Sequence, residues 1–283
     1  MKNLLTRTVS GIIFIGIMVG CLLGGDIPYA CLMLFLVAGM LSEFYELTLG
    51  KGKWLQKATG MLFGMSMWAA SFFLFKNRSP YSDAIGFIEL TMLCFFVLWL
   101  VLPVIQLFRK EEKPFLIVAY VLSGILYIAV PLSLVNFLGA NDRPVLLGLF
   151  IILWSNDVGA YVFGMLFGQK GKHKLCPSIS PKKSWEGLSG GILVALATGY
   201  VLWSLGLFTY GLFSTLVISL LLAVSGVFGD LIESMLKRSA GVKDAGKIIP
   251  GHGGLLDRFD AALLALPVAC IYMLILSLLS MPE

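Results

Sequence analysis

The residues able to do chemistry gather in the second half of the 283-residue chain, and most are acids, lysines and glycines. The densest run is Pro250-Gly251-His252-Gly253-Gly254-Leu255-Leu256-Asp257-Arg258-Phe259-Asp260. Three glycines around a histidine let backbone N–H groups converge on an anion without side-chain obstruction, as a phosphate cradle requires. Asp257 and Asp260 follow at i and i+3 if a helix has begun. Hard oxygen donors of this kind suit Mg2+, which takes one or two carboxylates together with phosphates and water. His252 alone could equally be a loop residue with a satisfied hydrogen bond. The second histidine is not at metal spacing and no CxxC pair occurs, so a zinc site is not supported.

Just upstream, Gly226, Asp230, Glu233, Ser234 and Lys237 fall on one helical stripe, followed by Arg238, Lys243 and Asp244. A salt-bridged helix end accounts for Lys237, leaves Glu233 open between a structural and a functional role, and accounts poorly for Asp230, nearly two turns deeper. Further back, Asp157 sits inside an apolar run with Tyr161, Gly164 and Gly168 on its helical face. Ionisable groups at membrane depth are costly and usually functional; the structural alternative is an interhelical hydrogen bond. Between these stretches lie Lys170, Lys172, His173 and Lys174, read as ordinary basic loop charge, and then Ser180-Pro181-Lys182-Lys183-Ser184-Trp185-Glu186-Gly187. Ser180-Pro181 reads as an N-cap with proline at the first helical position, so the spacing predicts a helix that starts there. Lys182 and Lys183 would then oppose the helix dipole in its first turn, which favours a bound polyanion.

Those residues need a scaffold, and the composition says which kind. The chain is 58% apolar and 13% charged, with a mean hydropathy of +0.92 and a net charge of +5. A soluble domain carries about 25% charged residues, so the expectation is an all-α, polytopic integral membrane protein. Nine apolar runs are candidate spans: 9–25, 27–49, 59–75, 85–108, 114–138, 145–167, 190–208, 211–236 and 261–279. The first is expected to be a retained span rather than a cleaved signal, since no small-x-small cleavage site follows it. With the N-terminus inside, 18 of the 21 Lys and Arg residues fall on inner segments; Lys76, Arg78 and Arg143 alone fall outside. That asymmetry predicts about nine transmembrane helices, a cytosolic N-terminus and an outside C-terminus. Residues 1–140 are expected to form an N-terminal region of five nearly hydrocarbon spans, and residues 141–283 a catalytic region of four spans with two cytosolic loops. The five cysteines are scattered and read as apolar filler.

From Ser234 to Asp260 the sequence resembles the phosphatidate cytidylyltransferases (CDP-diacylglycerol synthases). The shared pattern is Ser-x-aliphatic-Lys-Arg-x4-Lys-Asp-x-small-x2-aliphatic-Pro/Gly-x-His-Gly-Gly-aliphatic-x-Asp-Arg-aliphatic-Asp, met here without a mismatch. The stretches around Asp157 and Ser180–Gly187 resemble that family too, so the likeness covers roughly the C-terminal 45% of the chain. It implies a Mg2+-dependent nucleotidyltransferase that turns CTP and phosphatidate into CDP-diacylglycerol and pyrophosphate at the cytosolic face of the plasma membrane. It suggests that Asp230 and Asp257 hold metal, with Asp260 added from its position. Lys182, Lys183, Lys237 and Arg238 are assigned to phosphates, and the loop of His252, Gly253 and Gly254 to the triphosphate. Lys243, Asp244 and Arg258 complete the catalytic set, and Asp157 would position a lysine or a second, monovalent cation. Ser180, Ser184, Glu186 and Ser234 are expected to bind substrate, with Trp185 a stacking candidate for cytosine. Expected partners are CTP, phosphatidate and membrane lipid, with a homodimer as a candidate assembly and no nucleic acid. Two rivals stand beside this reading. One is another CTP-dependent lipid kinase or transferase. The other is an ion-coupled secondary transporter, disfavoured because the polar residues lie in one half rather than in duplicated halves.

Overall fold

The protein is described from a computed structural model, for residues 2–76, 80–140, 142–168, 173–246, 248 and 253–279, with side chains from residue 9 in the first helix and 85 in the fourth. Its helices are α1 (Lys2–Leu23), α2 (Asp26–Leu49), α3 (Trp54–Lys76), α4 (Pro80–Leu107), α5 (Pro114–Gly139) and α6 (Arg143–Phe167). A hairpin of β1 (Lys174–Cys176) and β2 (Ser180–Ser184) follows, then α7 (Trp185–Ser204), α8 (Leu212–Ser239) and α9 (Leu256–Leu279). Among the described residues, α2 to α9 hold eight apolar stretches long enough to cross a bilayer, while α1 offers the shorter apolar stretch Val9–Leu23. The chain is thus a polytopic, all-α membrane protein. It divides into two compact units: Met1–Asn141 with Asp244–Arg258 and Met281–Glu283, and Asp142–Lys243 with Phe259–Ser280.

In the first unit, lipid supplies no hydrophobic drive between helices, so close packing and interhelical hydrogen bonds must do the work. Buried Tyr45 of α2 donates to the Val121 carbonyl at 2.9 Å, and its ring fills the space left by Gly60 of α3 and Gly124 of α5. Tyr29 donates to Asn136 Oδ1 at 2.8 Å, while Asn136 Nδ2 donates to the Trp68 carbonyl and to Ser71 Oγ. Along α5, a π-helical turn at Ile125–Ala129 precedes Pro131. Proline cannot donate to the carbonyl four residues back and its ring crowds that carbonyl, so the wider turn absorbs the mismatch.

In the second unit, α6 and α7 meet along a glycine seam. A Cβ on Gly187 would lie 2.9 Å from the Ala160 carbonyl oxygen and 3.4 Å from the Gly164 Cα, so both backbones approach closely only without side chains there. Gly229 does the same for α8 and α9, since its Cβ would lie 2.6 Å from the Asp260 carbonyl oxygen.

The expected helix start at Ser180 is corrected by the structure. Ser180–Ser184 is a strand, paired antiparallel with Lys174–Cys176 through Lys174↔Ser184 and Cys176↔Ser180, with a bulge between. Pro181 lacks an N–H, which a two-stranded ribbon tolerates at its edge, and it biases Ser180 toward extended backbone. The cap role passes to Ser184, whose side chain accepts from Gly187 N at 3.1 Å, and α7 begins at Trp185.

Candidate metal and phosphate site

The change from helix to strand decides which lysine matters. Successive residues of a strand point to opposite faces, and here Lys182 is exposed while Lys183 is half-buried. Lys183 Nζ lies 2.6 Å from Asp230 Oδ2 and donates to the Val227 carbonyl at 3.2 Å. Asp230 Oδ1 accepts from Ser234 Oγ one turn on, at 3.3 Å. Glu233 is fully buried and pairs with Lys237 at 2.5 Å across one turn of α8.

Asp230, Glu233 and Asp260 form one acidic cluster, each offering a carboxylate oxygen within 4.8 Å of the others. Asp260 Oδ1 accepts from Ala261 N at 2.7 Å. Asp157 of α6 lies near enough to interact electrostatically with Asp230, Lys183 and Asp260. Three carboxylates so close repel one another, and the Lys183 and Lys237 ammonium groups offset that repulsion. A set of three hard oxygen donors from two helices, balanced by lysines on flexible stems, fits a hard divalent cation such as Mg2+.

Asp257 belongs to the other unit and has different partners. Its Oδ2 accepts from Gly254 N at 2.8 Å and Ala245 N at 3.0 Å, and its Oδ1 from Ala245 N at 3.2 Å. Gly253 adopts φ +85°, a left-handed conformation that side chains disfavour, and a Cβ there would press on Asp257 Oδ2 at 2.8 Å. The backbone around the motif is therefore shaped to grip this carboxylate. Metal-binding carboxylates are commonly oriented by such outer hydrogen bonds.

The remaining expected residues are more open. Trp185 and Arg258 are exposed, and Arg238 Nη1 donates to the Val242 carbonyl at 3.3 Å. Glu186 meets His173 Nδ1 at 3.3 Å, Lys243 and Asp244 are exposed, and Ser180 is part of the hairpin ladder. Lys174 donates to the Gly168 carbonyl at 3.1 Å, closing the C-terminal end of α6 as loop charge does. His252, Lys170 and Lys172 lie outside the described residues. Sequence reading underweighted Glu233, left open beside its partner Lys237, and passed over Glu43, an acid inside the second apolar run. Its presence at membrane depth was the signal.

Comparison with known proteins finds one family whose likeness spans nearly the whole chain. A model of the cytidylyltransferase family matches residues 5–276. Phosphatidate cytidylyltransferases of Staphylococcus saprophyticus and Staphylococcus haemolyticus are 40% and 38% identical over 159 residues, which is 56% of this chain and 60% of each relative. That of Staphylococcus aureus is 38% identical over the same share. The chain thus aligns with about three-fifths of the length of these relatives.

Proposed function

Because the chain belongs to the cytidylyltransferase family, we propose that it transfers the cytidylyl group of CTP to phosphatidate, giving CDP-diacylglycerol and pyrophosphate. The observation that carries this reading is the cluster of Asp230, Glu233 and Asp260 met by Lys183, in a helical membrane protein. Anionic reactants and a lipid acceptor call for clustered cations beside a divalent-ion site at the edge of a membrane.

In the proposed reaction a phosphate oxygen of phosphatidate bonds to the α-phosphorus of CTP, and the bond from that phosphorus to the α–β bridging oxygen breaks. Pyrophosphate leaves with the electron pair. No side-chain base is required, because a phosphate monoester is already largely dianionic near neutral pH. Asp230 and Asp260, together with Asp257 on its own segment, are the proposed metal-holding carboxylates, with Glu233 beside the first two. When bound, Mg2+ would neutralise phosphate oxygens and the charge that builds on the leaving group. Lys183 and Lys237 would turn from their carboxylates to phosphate oxygens, which costs little because one charge-assisted partner replaces another. Lys182, Arg238, Lys243 and Arg258, all exposed, are further phosphate-binding cations. Asp157 would hold Lys183 or a monovalent cation in place.

The proposed topology has nine spans, a cytosolic N-terminus and the reactive face toward the cytosol, supported by the 18:3 split of basic residues. The test is pyrophosphate release by the purified chain in detergent, with phosphatidate and each of CTP, ATP, GTP and UTP. Release is expected with CTP and Mg2+ only when phosphatidate is present. Release that ignores either the base or the lipid would overturn the assignment.

A further inference from the structure

Helix α2 lies in the half of the chain that composition marks as plain hydrocarbon, yet it carries a buried acid. Glu43 is 6% exposed and sits six residues, about 9 Å of helix, before the end of α2. Among the described residues its carboxylate pairs with no lysine or arginine. Oε2 accepts from Leu256 N at 2.8 Å and Oε1 from Leu255 N at 3.1 Å. These two amides lie at the start of α9, where the first N–H groups of a helix have no partner within the helix. A carboxylate there satisfies two donors and complements the positive end of the helix dipole.

The surrounding backbone is cut to fit this one side chain. A Cβ on Gly246 would overlap the Glu43 carboxylate, and one on Gly254 would come within 2.5 Å of Oε2. One turn earlier, Gly39 leaves room for the Leu255 side chain. Glycines on both sides of the loop therefore admit a single buried acid, and the same loop grips Asp257 through Ala245 N and Gly254 N. Gly254 takes part in both contacts: its N–H goes to Asp257 and its missing side chain makes way for Glu43.

We propose that Glu43 is a positioning residue for Gly246 and for residues 253–258, an acid of the N-terminal half that fixes the helix start from which Asp257 and Gly253 act. The proposal rests on the cytidylyltransfer reading for its kinetic consequence, but the contact itself is independent of that reading. It gives the N-terminal spans a task in the reaction beyond anchoring.

The test compares Glu43→Gln, Glu43→Asp and wild type for turnover and for backbone amide exchange. Glutamine keeps the shape but offers one acceptor oxygen and sets an amino group against an N–H. Exchange at Leu255 and Leu256 is expected to rise about tenfold, while the rest of α2 keeps its protection. Turnover is expected to fall about tenfold with the KM for CTP and phosphatidate within about twofold, because misplacement of a reacting constellation costs rate more than binding. Glu43→Asp, which keeps the charge, should recover turnover relative to Glu43→Gln. Gly246→Ala, which pushes a Cβ at the carboxylate from the loop side, should reproduce the Glu43→Gln signature and decides the matter if Glu43→Gln does not fold. Unchanged exchange at Leu255 and Leu256, or a drop in kcat that merely tracks loss of folded protein, overturns the proposal. If wild type shows no CTP-dependent turnover, the reaction assignment fails while the exchange measurement still judges the contact.

Discussion

Two groups of acids in this protein, each with one buried member, are held in opposite ways. In the unit built around α6, α7 and α8, Asp230 and Glu233 are met by the ammonium groups of Lys183 and Lys237. In the unit that holds α2, Glu43 and Asp257 are met by backbone N–H groups of Leu255, Leu256, Ala245 and Gly254. The contrast is between partners that can leave and partners that cannot. A lysine on a flexible stem can exchange its carboxylate for a phosphate oxygen and leave the acid to a cation. A backbone amide inside a shaped loop stays where the fold puts it. The first arrangement suits an ion that comes and goes, and the second suits an acid that must keep one orientation.

The sharpest way to break that contrast is at Asp230. Asp230→Asn is expected to lower turnover on the order of 10³-fold, the upper end of the loss caused by removing one preorganised donor to a developing oxyanion. Asp230→Ala should shift the Mg2+ titration of activity further than Glu233→Ala does; identical curves for the two would contradict the ranking. Asp257 comes next, because its two roles separate. In Asp257→Asn the amide carbonyl oxygen can take the place of Oδ2 and keep both N–H bonds, so this variant should melt like wild type yet lose turnover by about 100-fold. Asp257→Ala should also lose about 1–3 kcal/mol of stability, from donors left unpaired. Near-wild-type turnover in Asp257→Asn would reduce its role to holding the loop.

Lys183→Gln probes the exchangeable partner itself. If the ammonium competes with a cation for Asp230, the variant should bind Mn2+ at least as tightly as wild type while its KM for CTP rises about tenfold. Weaker Mn2+ binding would mean that Lys183 supports the cluster rather than competing for it. The smallest expected effect is at Gly229, where a Cβ would sit 2.6 Å from the Asp260 carbonyl oxygen. Gly229→Ala should cost about 1–3 kcal/mol of thermal stability through overpacking, with a proportionate fall in activity.

Much of the second unit was legible from spacing. The stripe from Gly226 to Lys237 keeps helical period, so spacing alone puts Asp230, Glu233 and Ser234 on one helix face. The hairpin was not legible, because Ser180-Pro181 suits an N-cap and a strand edge equally, and only the pairing of Ser184 with Lys174 separates them. Glu43 was missed for a related reason. Its partners are backbone amides 212 and 213 residues away, and a backbone amide leaves no mark in the sequence. Acids that meet lysines leave a readable pair, as Glu233 and Lys237 do at i and i+4; acids that meet the main chain leave only their own oddity in an apolar run.

The most direct test of the exchangeable site is a Mn2+ titration of the purified protein, followed by electron paramagnetic resonance, for wild type and Asp230→Asn. Saturable binding that Mg2+ displaces is expected in wild type and its loss in Asp230→Asn. Binding of wild-type affinity in Asp230→Asn would contradict the assignment of a divalent ion to the Asp230 cluster.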